Sequence, residues 1–248
     1  MHNIMKTIWL DEVDSTNSYI MRDADAIEAP AMVLAHTQTA GRGQRGNSWE
    51  SEPGMNLTFS VIIRPETVPT IAQFSISEAT ALGVADSLIQ NGIDASVKWA
   101  NDIYVGDRKI CGILIQHSLM GDRIAYSVLG IGINVNQEVF VSNAPNPVSM
   151  WQITGKKYSL EALASQVGEC LEKRLAMASS PEGRESLHEE SRKRLWRCDG
   201  KSYPFCDTAT QEHFEAMIED VDPHGPITLR LPDNSTRTYS FKEVTFLL

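Results

Sequence analysis

The chain has 248 residues, 42% of them apolar and 22% charged, enough to bury a sizeable core and out of keeping with wholesale disorder. Lys and Arg together number 22 against 32 Asp and Glu, a formal charge of −10. That balance disfavours a broad nucleic-acid-binding face while leaving room for a local basic site that meets a small anion.

Four cysteines without a CxxC pair and six histidines without HExxH or HxxxH spacing argue for reduced thiols and against a dedicated transition-metal site. No stretch approaches the apolar length of a membrane span, and Met1 to Leu10 lacks the apolar run of a secretory signal, so a cytoplasmic protein is expected.

In chain order, Thr7 to Leu10 reads as a strand, and Asp14-Ser15-Thr16-Asn17 as the cap-rich entry to a short helix ending near Asp23. Ala31 to His36 is a compact apolar run, followed by a long loop from Thr37 to Asn56. Leu57 to Ile63 is a second buried strand, stopped by Arg64-Pro65. The spacing of Ile71, Phe74, Leu82, Ala85 and Ile89 predicts a helix from Ile71 to Gln90, ended by Asn91-Gly92. Strands are expected over Ala95–Trp99, Ile110–His117 and Ile124–Ile131, with Met120-Gly121-Asp122 as a hairpin turn. A Pro- and Asn-rich loop runs from Asn134 to about Val148. Ser159 then precedes an amphipathic helix with Leu160, Leu163, Val167, Leu171 and Leu175 on one stripe, and a charged helix follows from about Glu182 to Trp196.

The C-terminal segment differs in kind. Short strands around Glu215–Val221, Ile227–Leu231 and Thr236–Phe241 are separated by Asp222-Pro223-His224-Gly225 and Pro232-Asp233-Asn234, the pattern of a small barrel or meander. The expected class is α+β with a small all-β appendage and a boundary near Arg197.

Gly41-Arg42-Gly43-Gln44-Arg45-Gly46 matches GxGxxG and follows a strand. A dinucleotide fingerprint requires a helix to open at the loop, with its N-terminus on the pyrophosphate. Here the loop continues through Trp49 to Gly54 and enters another strand, so that reading fails. What remains is a long glycine loop carrying Arg42 and Arg45 in an acidic protein. Glycines allow close backbone approach and an N–H nest for an anion, and guanidinium groups supply planar donors for carboxylate or phosphate. Solvated arginines on a surface loop are the alternative.

A second segment, Lys98-Trp99-Ala100-Asn101-Asp102-Ile103-Tyr104, ends a strand in polar residues and turns through Gly106-Asp107. It delivers Lys109 to the start of another strand, in which Gly112 leaves space for a ligand against the sheet.

With these residues in place the chain resembles the biotin–protein ligases, the biotin–[acetyl-CoA-carboxylase] ligase family. The resemblance runs through Asp14-Ser15-Thr16-Asn17, Gln38-Thr39-Ala40 and the glycine loop with Trp49. It continues through Lys-Trp-x-Asn-Asp, Asp107-Arg108-Lys109, Gly112-Ile113-Leu114 and Gly130-Ile131-Gly132-Ile133-Asn134. It implies a mixed-sheet, class II synthetase-like catalytic domain over residues 1–196 and a small SH3-like β-barrel over 197–248. The family often has Pro at the position of Ala100, and some relatives carry basic residues where Gln44 and Asn47 stand. Relatives that also repress transcription carry an N-terminal helix-turn-helix, for which no room is expected here, and no DNA or membrane partner is expected.

The resemblance implies activation of biotin by ATP, accompanied by Mg2+, to biotinyl-5′-adenylate. Transfer to a lysine of a biotin carboxyl carrier protein domain follows, by a monomer or homodimer. Two anions must meet in the first step, which calls for fixed cations rather than acid–base work. Lys109 and Arg42 are assigned to the reacting carboxylate and phosphate, with Lys98 as a further contributor or a structural strand residue. Asp102 is assigned to orient Mg2+ or the incoming lysine.

Ser15, Thr16, Asn17 and Gln38 suit the ureido group of biotin, with helix capping as the competing role for the first three. Arg42, Gly43, Gln44, Lys109 and Gly112 complete the biotin set, and Gly112, Ile113 and Leu114 offer an apolar slot. Arg42, Arg45, Trp49, Asn101, Lys109 and Asn134 form the ATP set, with Trp49 alternatively a core anchor and Trp151 following a loop near the nucleotide. A lipoate–protein ligase and a non-catalytic biotin- or nucleotide-binding module are the rival functions.

Overall fold

The computed structural model describes residues 5–44, 47–141 and 146–248. The expected alternation of elements is present: β1 (Lys6–Val13), α1 (Thr16–Arg22), β2 (Ala31–Gln38), β3 (Leu57–Ile63), α2 (Phe74–Gln90), β4 (Ser96–Lys98), β5 (Asp102–Val105), β6 (Arg108–Met120) and β7 (Arg123–Ile133). Three helices follow, α3 (Met150–Thr154), α4 (Leu160–Met177) and α5 (Pro181–Lys193). The chain ends in β8 (Tyr203–Asp207), β9 (His213–Val221), β10 (Ile227–Arg230), β11 (Thr236–Tyr239) and β12 (Val244–Phe246).

The first seven strands form one mixed sheet in the order β1-β2-β3-β7-β6-β5-β4, parallel only between β1 and β2. The last five form an antiparallel sheet in the order β11-β10-β9-β8-β12. No helix among the described residues is long and apolar enough to cross a membrane.

Period-two alternation gives the central strands two different faces. Leu57, Phe59 and Val61 of β3, Leu129, Ile131 and Ile133 of β7, and Cys111 and Ile113 of β6 pack with α2 and α4 in the main apolar cluster. On the opposite face α1 covers one end, where Ile20 packs with Val33, Ile62 and Val128. The remainder of that face carries Ser60, Gly130, Gly132, Gly112 and Leu114, and among the described residues no helix packs over it.

Two sequence expectations change. The second helix begins at Phe74, after a 3-10 turn over Thr70–Ala72, and Ile71 is 71% exposed. Twelve residues of α2 are buried because sheet, α4 and α5 enclose it, so one apolar stripe described it poorly. The segment between Val148 and Ser159, for which the sequence predicts no element, contains α3. Its signal is a capping box, in which Ser149 Oγ accepts from Gln152 N at 3.1 Å and Gln152 Oε1 accepts from Ser149 N at 3.1 Å.

The two sheets share a core. Trp99, Tyr104 and Trp196 pack with Phe205, Ile218, Leu229 and Phe246 in one cluster. Trp99 Nε1 also donates to the Gly225 carbonyl at 2.8 Å.

One carboxyl is buried between α2 and α5. Glu78 is 4% exposed, and its Oε1 lies 2.7 Å from His188 Nδ1. Burial raises its pKa to about 7, against the opposing pull of His188. A raised value means that the stabilising contribution is complete below the unfolded pKa and is lost as pH rises through about 7. Across the window from 4.5 to about 7 the loss is on the order of 3 kcal/mol. Glu78→Gln is expected to flatten the dependence of Tm on pH in that window. Parallel wild-type and variant profiles would refute the assignment.

Candidate functional site

The open face of the first sheet holds a row of positions set by strand register. Gly130 pairs with Leu114 and Ser60, and Gly132 pairs with Gly112 and Thr58. Asn134 follows two residues further along, its N–H donating to the Ile110 carbonyl at 2.9 Å. At a strand rise of about 3.3 Å per residue the row from Gly130 to Asn134 extends roughly 13 Å.

A polar group closes the first end. Asn17, 3% exposed, rests on Gly130, where a Cβ would overlap its carboxamide. Asn17 Oδ1 accepts from Ser60 Oγ at 2.5 Å, and its Nδ2 donates to Gln116 Oε1 at 3.1 Å. Ser60 Oγ also lies 2.7 Å from Thr16 Oγ1, and Gln38 Oε1 accepts from the Thr16 N–H at 2.8 Å. Ser15 stands at the N-cap position but makes no side-chain capping bond, so capping is not the work of its hydroxyl.

Glycines in the middle of the row make room for an aromatic ring. The Trp49 indole lies on Gly112 and Gly132; a Cβ on Gly112 would fall 2.9 Å from Trp49 Cζ3. Trp49 Nε1 is buried and has no hydrogen-bond partner among the described residues. Lys109 Nζ lies 5.8 Å from the centre of that ring and 2.9 Å from Asp102 Oδ2. Asn101 Nδ2 donates to the Ile113 carbonyl. At the far end Asn134, 2% exposed, donates from Nδ2 to the Val148 carbonyl at 3.1 Å, while its buried Oδ1 has no partner among the described residues.

The glycine loop folds back as a small hairpin over this row. Trp49 N donates to Gly41 O at 3.0 Å, and Gly43 N donates to Asn47 O at 2.7 Å. That corrects part of the nest expectation, because the Gly43 N–H is taken up inside the loop. Gln44 Nε2 reaches the Ile113 carbonyl at 3.4 Å, and Arg42 is exposed at the rim. Arg45 lies outside the described residues.

The structure thus brings Ser15, Thr16, Asn17, Gln38, Arg42, Gly43, Gln44, Trp49, Asn101, Asp102, Lys109, Gly112 and Asn134 around one cavity of about 590 Å³. Trp151 is not among the residues that line it. Sequence reasoning missed Ser60, Gln116, Glu50 and the rim of Phe241, Lys242 and Phe246. Ser60 left a signal: a hydroxyl in the apolar run Leu57–Ile63, fully buried in the fold. The C-terminal rim left none, since it reaches the cavity only through packing between the sheets.

Chemically, the arrangement offers fixed donors and cations and no activated nucleophile. Cys111 is fully buried, and burial pushes its thiol pKa far up. Among the described residues no cluster of three His, Cys, Asp or Glu could hold a metal ion, and Asp102 is engaged by Lys109.

Fold and site together define an α+β domain with an elongated cavity against the hollowed face of a mixed sheet, with cations along the middle of its length and the dimensions of a small-molecule site. The family model for biotin/lipoate A/B protein ligases matches residues 9–134, and the chain belongs to that family. It is 31% identical over 175 residues to the bifunctional ligase/repressor BirA of Bacillus spizizenii, covering 67% of this chain and 53% of the relative. It is 34% identical over 129 residues to the biotin–[acetyl-CoA-carboxylase] ligase of Paracoccus denitrificans, covering 51% and 53%. The chain therefore spans about half the length of these curated relatives. Among solved structures, the biotin protein ligase of Aquifex aeolicus in complex with biotin and ATP has the same fold, with a TM-score of 0.80, 22% identity and 98% coverage of both chains.

Proposed function

We propose that the chain is an ATP-dependent biotin–protein ligase. It activates biotin as biotinyl-5′-adenylate and transfers the acyl group to a lysine of a biotin carboxyl carrier domain. The observation that carries the reading is the linear order of the site, with a polar closed end at Asn17 and Ser60, a fixed cation at Lys109, and an amide at Asn134. Biotinyl-adenylate has the same order of parts, namely a ureido ring, an acyl phosphate and a purine. The names of the curated relatives and the ligands of the Aquifex protein point the same way.

In the first step a biotin carboxylate oxygen bonds to the α-phosphorus and the α–β bridging bond breaks, its electron pair leaving with pyrophosphate. Lys109, held by Asp102, and Arg42 lower the repulsion between the two anions. In the second step a neutral lysine amine of the carrier attacks the acyl carbon, AMP leaves, and the amine loses a proton. Asn17, Ser60, Thr16 and Gln38 orient the ureido end, Gly112 and Trp49 bound the thioether ring and tail, and Asn134 and Asn101 meet the nucleotide. Among the described residues no cluster builds a resident metal site, so Mg2+ accompanying ATP counts as part of that substrate in this reading. Residues 1–196 as the catalytic part, 197–248 as a C-terminal part, and a cytoplasmic setting belong to the same reading.

Mixing the protein with ATP, Mg2+ and biotin, then quenching for mass spectrometry, is expected to yield biotinyl-5′-adenylate. Adenylate formed only from lipoate would establish the sister activity of the family. Bound biotin with no adenylate would mean a binding module.

A further inference from the structure

Lys98 closes β4 opposite Asp102 in the β4–β5 register, and its side chain is part of the cavity wall. Three rings surround its ammonium. Nζ lies 5.0 Å from the centre of Tyr104, 5.5 Å from Phe246 and 5.9 Å from Trp196. Tyr104 belongs to β5, Trp196 to the connector after α5, and Phe246 to β12, so both sheets build the enclosure. The rings also hold one another. Tyr104 and Trp196 are 4.9 Å apart, Trp196 and Phe246 are 5.9 Å apart, and Trp196 Nε1 donates to the Gly106 carbonyl at 2.8 Å.

Among the described residues no carboxylate lies within ion-pair distance of Lys98, and Asp102 is engaged by Lys109 instead. Burial draws the Lys98 pKa below its ordinary value, opposed by Asp102 and assisted by Lys109 and Arg197. Ring faces fix a cation in place without neutralising it, whereas a carboxylate partner would do both. Among the described residues Lys98 is therefore left without an ion-pair partner, facing any anion that enters the cavity.

Among the described residues, the adenylation reading leaves one anion without an assigned cation. Lys109 and Arg42 serve the carboxylate and the α-phosphate, while breaking the α–β bond places new charge on the departing pyrophosphate. We propose that Lys98 is the cation that receives this pyrophosphate, and that Phe246 and Trp196 are positioning residues through which the C-terminal sheet takes part in activation but not in acyl transfer. The proposal rests on the function inferred above.

Lys98→Met preserves length and apolar contact with the rings, so the fold is expected to persist, as circular dichroism will show. Biotin-dependent ATP–pyrophosphate exchange is expected to fall about a hundredfold in this variant, with a raised KM for ATP and an unchanged KM for biotin. Transfer from synthetic biotinyl-adenylate to a carrier domain is expected to stay within threefold of wild type. Phe246→Leu should lower exchange about tenfold, and Phe246→Tyr should restore it.

Exchange within threefold of wild type in Lys98→Met overturns the proposal, as does an equal loss in exchange and transfer. Calorimetric titration with ATP alone separates this proposal from the parent reading. Wild type without biotin-dependent exchange overturns the acyl substrate. ATP binding weakened tenfold or more in Lys98→Met still supports the cation, and unchanged ATP binding removes it.

Discussion

Lys109→Ala is expected to lose adenylate formation by about 10²–10³-fold while the fold survives, the range found when one preorganised charge-stabilising group is removed from a reacting centre. The ammonium lies 2.9 Å from Asp102, beside Trp49 and Gly112, between the polar and amide ends of the site. Removing it leaves Asp102 as an uncompensated negative charge next to two incoming anions, so the loss includes new repulsion. The ion pair is 31% and 24% exposed at its two side chains and contributes at most about 1 kcal/mol to folding. Quenched-flow measurement of biotinyl-adenylate, with thermal melts beside it, tests both halves. Turnover near wild type would show that another group carries the charge, and a collapsed melt would show a structural role.

Gly130→Ala is expected to weaken biotin binding by about 10²–10³-fold, an effect out of scale with one methyl group. The added Cβ would occupy the space of the Asn17 carboxamide. That carboxamide cannot move without leaving Ser60, at 2.5 Å, and Gln116, at 3.1 Å. Each buried polar group left unpaired costs about 1–3 kcal/mol, and two such losses, about 2–6 kcal/mol, bracket the stated range. Calorimetry with biotin reads the effect, and a double-mutant cycle identifies its route. Once Asn17→Ala has been made, Gly130→Ala should cost little more, because both changes remove the same contacts. Additive losses would mean that the glycine serves the site in another way.

Much of this site was legible before the fold was known, and the reason is local. Lys109, Asp102 and Gly112 sit on adjoining strands joined by a tight turn at Gly106, so sequence order nearly equals spatial order. The glycine loop was recognisable as a ligand loop because no helix follows it, and no helix among the described residues opens there.

Features that depend on distant pairing were not readable. Ser60 meets Asn17 only because β3 lies beside β7 and α1 crosses above them. Two strands of the C-terminal sheet, β8 and β12, escaped notice for a similar reason, since residues far apart in the chain complete their pairing. Helix α2 was found but misframed, because burial on nearly every side erases the periodicity that reveals a surface helix.

Trp99, Tyr104 and Trp196 come from the first part of the chain, yet they complete the interior of the second sheet. The C-terminal unit is therefore a keystone rather than a passenger. Shortening the protein near Arg197 would uncover three large rings at once, and grafting another small barrel in its place would require those rings to find a matching surface. Reshaping this terminal unit would have to go in step with the β4–β5 hairpin, which carries Lys98 on its first strand and Asn101 in its turn.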